Sequence, residues 1–233
     1  MQESRLPLLR PDGMLSARLE RDSDGMQQNA LYAALGLTVL LALILSGIDP
    51  YDRATWLLEV SPVLIGAPVL LLTYRRFPLT RLLYVLIACH ALVLILGGAY
   101  TYARVPLGFW VQELFDLQRN PYDKLGHFMQ GLVPMLIARE ILLRRRYLTR
   151  GPMLGFLALC VALAFSAFYE LIEWWVALIA GGGAIEFLGT QGDPWDTQSD
   201  MFLAMIGAGV VLLGLDRLQD RQIATLERGA GTR

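Results

Sequence analysis

The sequence predicts an all-α, polytopic membrane protein with six transmembrane helices and both termini in the cytoplasm. Three observations carry that prediction. First, 55% of the 233 residues are hydrophobic and 18% are charged. With a mean hydropathy of +0.46, the chain is too apolar for an ordinary soluble domain. Second, six apolar stretches approach the about 20 residues that a helix needs to cross the hydrocarbon core. Third, positive charge alternates between the segments that join them. A net charge of −1 gives no sign of a nucleic-acid partner.

The six spans run over about 29–48, 56–74, 79–102, 124–143, 153–180 and 200–216. Together they make a membrane domain over 29–218, flanked by cytoplasmic tails at 1–28 and 219–233. The first span follows a polar, mixed-charge lead with no small-residue cleavage site, so it reads as an uncleaved helix behind a loosely ordered tail. Glu59, Pro62 and Pro68 interrupt the second, which membrane helices tolerate where neighbours satisfy the freed carbonyls. The third and fifth are long enough to tilt. Cys89 and Cys160 lie within apolar spans, where a structural disulfide is not expected.

Fifteen of the twenty basic residues fall in or beside the two tails, counting Arg217 at the end of the last span, around Arg75, Arg76 and Arg81, and around Arg144, Arg145, Arg146 and Arg150. The loops of opposite parity carry only Arg53, Arg104 and Arg119. Cytoplasmic flanks are enriched in Lys and Arg, so the alternation fixes both the span count and the direction of each helix.

Within the apolar stretch "AFSAFYELIEWWVALIA", Glu170 and Glu173 are out of place. A charged side chain near mid-bilayer costs at least about 2.5 kcal/mol. Direction supplies an answer. The fourth span enters from outside at "NPYDKLGHFMQGLVP", where Asp123, His127, Gln130, Gly131 and Pro134 recur on nearly one face. The fifth runs outward and places Ser166, Glu170 and Glu173 in its outer half. The sixth is preceded by "FLGTQGDPWDTQSDMF", with Asp196 and Asp200 four apart and Asp193 in the loop. These groups all fall at the outer end, which predicts an outward-opening acidic pocket shared by spans four to six. Arg139 and Glu140, near the cytoplasmic end, and Glu59, near the outer start of span two, are expected to reach water. His90 reads as a helix-packing hydrogen bond.

Two segments are positioned to cover such a pocket. "VPLGFWVQELFDLQRN" spaces Leu107, Trp110, Val111, Leu114 and Phe115 as one face of a short interfacial helix. "GGGAIEFLGTQGDPW" is glycine-rich and then aromatic, as a lid would be. Both equally suit anchors at headgroup depth through Phe109, Trp110 and Trp195.

The stretches "YDKLGHFMQGLVPMLIAREILLR" (122–144), "YELIEWWVALI" (169–179) and "FLGTQGDPWDTQSDMFLAMIGA" (187–208) resemble the YjdF-type bacterial inner-membrane proteins. That resemblance extends over about 30–220 and implies a multi-pass protein of the bacterial inner membrane; the family brings no established reaction. A more distant likeness is to VanZ-type membrane proteins, associated with resistance to glycopeptide antibiotics of the teicoplanin kind. It rests on Asp123, Lys124, His127 and Phe128, on Glu170 and Glu173, and on Asp200 and Gly207. Ala204 stands where that pattern has Asn, so the likeness implies a common fold core more than a common substrate.

Three readings of the polar set remain open. As a metal site, Asp123, His127, Glu170, Glu173, Asp196 and Asp200 offer carboxylates and one imidazole, which suit a hard divalent ion or zinc. Only two histidines occur, so a three-histidine zinc site is excluded. His127, Glu170 and Glu173 are then the catalytic candidates, with a metal-activated water acting on a small polar or lipid-linked envelope molecule. Lys124, Gln130, Gln191, Trp195 and Gln198 are the candidates for contacting that substrate. As a binding or transport protein, the same acids and His127 hold a small polar or cationic ligand. As a structural clamp, Lys124, His127 and the acids tie three helices together.

Overall fold

The computed structural model describes residues 11–180, 185–188 and 190–230, and the regular elements among them are all helical. They are α1 (Pro11–Ser46), α2 (Arg53–Thr73), α3 (Arg81–Tyr100), α4 (Pro106–Leu114), α5 (Tyr122–Arg144), α6 (Pro152–Ala180), the short α7 (Ile185–Leu188), α8 (Asp196–Val210) and α9 (Asp216–Ala230). A 3₁₀ turn, Tyr102–Arg104, precedes α4, and a π-helical segment, Val211–Leu215, kinks at Gly214 between α8 and α9. The chain divides at Thr38 into two units, of which the second, from Val39, holds α2 to α9.

Helix boundaries follow local chemistry. Pro11 opens α1 and Pro106 opens α4, where a missing N–H removes no helical bond. Asp52 caps α2 by accepting from the Thr55 N–H at 2.7 Å. The α1 helix runs through the mixed-charge residues that were expected as loose tail; residues 1–10 of that tail lie outside the described residues. At the other end, the stretch expected as a tail from 219 is helical through Ala230 and docks by Gln219 and Ile223, both buried.

Among the described residues, five helices are long and apolar enough to cross a membrane: Gly25–Ser46, Arg53–Thr73, Arg81–Tyr100, Pro152–Ile179 and Asp196–Arg228. The remaining expected span, α5, is 23 residues long but carries Asp123, Lys124, Arg139, Glu140 and Arg144. Its packing explains how it bears them. Leu79, Leu83, Ala158, Ala162, Ala208 and Val211 close around Met129, Leu132, Val133, Met135 and Leu136 of α5 in one apolar core. A helix shielded by protein on most sides is not selected for apolarity as a lipid-facing one is.

Small residues set the closest approach. A Cβ on Gly131 would collide with the backbone carbonyl of Ala204, and one on Gly207 with that of Phe128. The α5 and α8 backbones therefore touch. Gly97 and Gly98 likewise abut Tyr102 and α2, whereas Gly209 has open space beside it.

The far end of α5 corrects the sequence reading. Arg139 and Glu140 do not reach water; their exposures are 4% and 0%. Glu140 accepts from the Thr80 N–H (2.9 Å) and hydroxyl (2.7 Å) ahead of α3, and from Arg144 (2.8 Å). Arg139 donates to Gln219 Oε1 at 2.9 Å and pairs with Asp220 at 3.0 Å. The folded α9 supplies Gln219 and Asp220, and this is what shields the two charges from solvent.

Candidate functional site

The opposite end of α5 faces α6 and α8. Because Gly131 and Gly207 let α5 and α8 meet, the side chains one and two turns away interleave across the seam. Lys124 extends to α8, where its ammonium donates to Asp200 Oδ1, to Asp196 Oδ1 (3.0 Å) and to Ser199 Oγ (2.7 Å). Two carboxylates and one serine hydroxyl thus surround three N–H groups. Asp123 Oδ2 lies 3.9 Å away. Arg119, in the loop before α5, meets the same Asp196 Oδ1 at 2.6 Å, reaches Asp193 at 3.4 Å and donates to the Thr190 carbonyl at 2.8 Å.

His127 is the hub. Its exposure is 5%, and both ring nitrogens are engaged. Nδ1 meets Gln130 Oε1 at 2.9 Å and lies 3.7 Å from Glu170 Oε1. Nε2 lies 3.3 Å from Asp123 Oδ1 and 3.7 Å from Asp200 Oδ2. Asp123, His127 and Asp200 offer three ligand atoms within 4.8 Å of one another, and His127, Glu170 and Glu173 offer a second such group. On α6, the Thr197 hydroxyl of α8 faces the Glu170 carboxyl, yet Glu170 Oε1 and Ser166 Oγ are buried with no hydrogen-bond partner. Next to them the Tyr169 hydroxyl donates to Glu59 Oε2 at 2.9 Å. Glu59 is 3% exposed. It therefore does not reach water from α2 as expected: its carboxylate meets the Tyr169 hydroxyl and its Cβ lies against Gly98 of α3.

The proposed ligand set is thus brought together from Asp123, His127, Glu170, Glu173, Asp196 and Asp200, with Lys124 and Gln130 in its walls. Others stand apart. Trp195 is 68% exposed, and its backbone N–H donates to Asp193. Gln198 is also exposed. Gln191 exchanges two hydrogen bonds with the Asn120 backbone, each 3.0 Å, so it fastens loops together. Helix α4 turns Leu107, Phe109, Trp110 and Leu114 outward, while its buried Gly108 sits on the Asn120 side chain. Residues 181–184 and 189 of the expected lid lie outside the described residues.

A family of predicted membrane proteins, DUF2238, matches residues 31–221. The chain belongs to this family. It is 60% identical over 187 residues to the inner membrane protein YjdF of Escherichia coli strain K12, covering 80% of this chain and 90% of that protein. No solved structure matches it.

This DUF2238 member is a multi-pass protein of the inner membrane. The site residues that sequence reasoning missed are Arg119, Ser199, Tyr169 and Glu59. Arg119 and Glu59 were visible as the odd charges of their segments, but nothing in one dimension shows that a loop arginine bridges Asp193 and Asp196. Tyr169 neighbours Glu170 in sequence, yet points to a carboxylate 110 positions away.

Proposed function

We propose that the protein is a six-span bundle with both termini in the cytoplasm, whose acidic pocket faces the outer compartment and binds a divalent cation. Asp123, His127 and Asp200 are its ligands. The observation that carries this reading is the geometry at His127. With Nδ1–H donating to Gln130, Nε2 turns a lone pair toward two carboxylate oxygens. Three acceptors pointing at one another need either a proton or a cation between them. Their separations of 3.3 and 3.7 Å from Nε2 suit ligands on one ion: bonds of about 2.1 Å at tetrahedral angles put ligand atoms about 3.4 Å apart. Gln130 then fixes the tautomer, as outer partners of ligating histidines do.

A cation there would supply Lewis-acid chemistry toward a small polar or lipid-linked molecule of the envelope. Lys124 and Arg119 hold Asp196 and Asp200 in place and leave Asp200 Oδ2 free for the ion. Elemental analysis of the purified protein tests the reading. About one divalent ion per chain is expected in the wild type, with loss in Asp123→Asn and His127→Gln. A metal-free wild type after incubation with zinc, manganese and magnesium would mean that a proton fills the gap and that the cluster is a charge clamp. A C-terminal reporter active only in the cytoplasm tests the topology.

A further inference from the structure

We infer that Ser166, Glu170 and Glu173 form a separate subsite for a primary ammonium group. This goes beyond the cation reading, names a substrate class for the same pocket, and rests on that pocket but not on the metal. The structure contains its own template. Around Lys124 an ammonium is held by two carboxylates and one serine hydroxyl, those of Asp196, Asp200 and Ser199. On α6 the same chemical set recurs, two carboxylates and one serine hydroxyl, and no lysine or arginine pairs with it among the described residues.

Two atoms of this set show the need for a donor. Ser166 is fully buried and Glu170 is 8% exposed, and Ser166 Oγ and Glu170 Oε1 have no hydrogen-bond partner. Native proteins leave few buried polar atoms unsatisfied, and each such atom carries a desolvation penalty. Ser166, Glu170 and Glu173 lie along one side of α6, at intervals of four and three residues. Glu170 and Glu173 each place a carboxylate oxygen within 4.8 Å of the His127 ring and of each other, so both carboxylates converge on one point.

An ammonium brings three N–H donors and one positive charge, which matches three acceptors and the excess of acid. A quaternary amine has the charge but no N–H, and a neutral alcohol has the donor but no charge. Neither satisfies the set. A lipid headgroup and a free small molecule can both offer such an amine, and the chemistry is shared.

The test uses full-length protein in nanodiscs of phosphatidylcholine, titrated with ethanolamine and, separately, with choline, with thermal unfolding as the readout. Ethanolamine is expected to raise the melting temperature and choline to leave it unchanged. Glu173→Gln and Ser166→Ala should each weaken the ethanolamine response about tenfold or more, since a hydrogen bond to a charged group is lost. Wild-type protein stripped of metal with a chelator should keep the response; metal content and amine response therefore fail separately. Repeating the titration in phosphatidylethanolamine discs names the source: a response already saturated points to the headgroup, and a retained response to a free amine. Equal shifts from choline and ethanolamine, no shift from either, or full responses in both Glu173→Gln and Ser166→Ala would overturn the assignment.

Discussion

One substitution made at two neighbouring glycines tests how α5 and α8 meet. Gly207 and Gly209 are two residues apart on α8, yet a methyl group at the first lands on the Phe128 carbonyl and at the second meets nothing within 4 Å. Replacing Gly by Ala in a helix gains about 1 kcal/mol of propensity. At Gly209 that gain stands alone. At Gly207 the helices must part by roughly 1 Å to restore an ordinary contact, and a backbone carbonyl cannot rotate aside as a side chain can. Overpacking of this kind reaches about 3 kcal/mol, which leaves a net loss of about 2 kcal/mol. At about 2–4 °C per kcal/mol for a chain of this size, Gly207→Ala should melt roughly 4–8 °C lower. Gly209→Ala should melt about 2–4 °C higher. Thermal unfolding of both variants in one detergent reads the contrast directly. Because the same seam aligns Lys124 and His127 with Asp200, the Gly207 variant should also bind less of the cation proposed for that site. A Gly207→Ala protein as stable as Gly209→Ala would refute the close backbone approach.

Further outcomes follow from the polar networks. Lys124→Met leaves Asp196 and Asp200 without their ammonium, a loss of about 3–5 kcal/mol for one side of a buried pair. Adding Asp200→Asn should recover part of that loss, and strictly additive effects in the double-mutant cycle would count against the contact. Glu140→Ala strips the Thr80 N–H and Arg144 of their shared acceptor, so a fall in stability of about 3–5 kcal/mol is expected by thermal unfolding; an unchanged melting temperature would contradict the burial of Glu140. Asp52→Ala removes the α2 cap, worth about 1 kcal/mol. The Thr55 N–H holds the Asp52 carboxyl below its ordinary value. A depressed folded-state value means that the stabilisation is present above the unfolded value, near 4, and is lost as pH falls through the folded one. The gap between wild type and Asp52→Ala should therefore be widest near neutral pH and close in acid, and a gap that widens in acid would oppose the cap.

The hydrophobic runs were long enough to show an all-helical membrane protein, because a bilayer demands a run of apolar residues and spacing within a helix is local. The four-residue intervals of Asp123 with His127 and of Asp196 with Asp200, and the Glu170–Glu173 stripe, placed acids on helix faces for the same reason. What each charge meets depends on contacts between distant segments. Glu59, Arg139 and Glu140 read as solvated because they lie near helix ends, and they are buried because Tyr169, Gln219 and Thr80 arrive from elsewhere in the chain. Arg119 gave no sign of its pairing with Asp193 and Asp196, since a loop's path is set by what it packs against. Periodicity therefore determined which residues share a face, and only tertiary packing decided that two glycines bring α5 and α8 close enough for Lys124 and His127 to face Asp200.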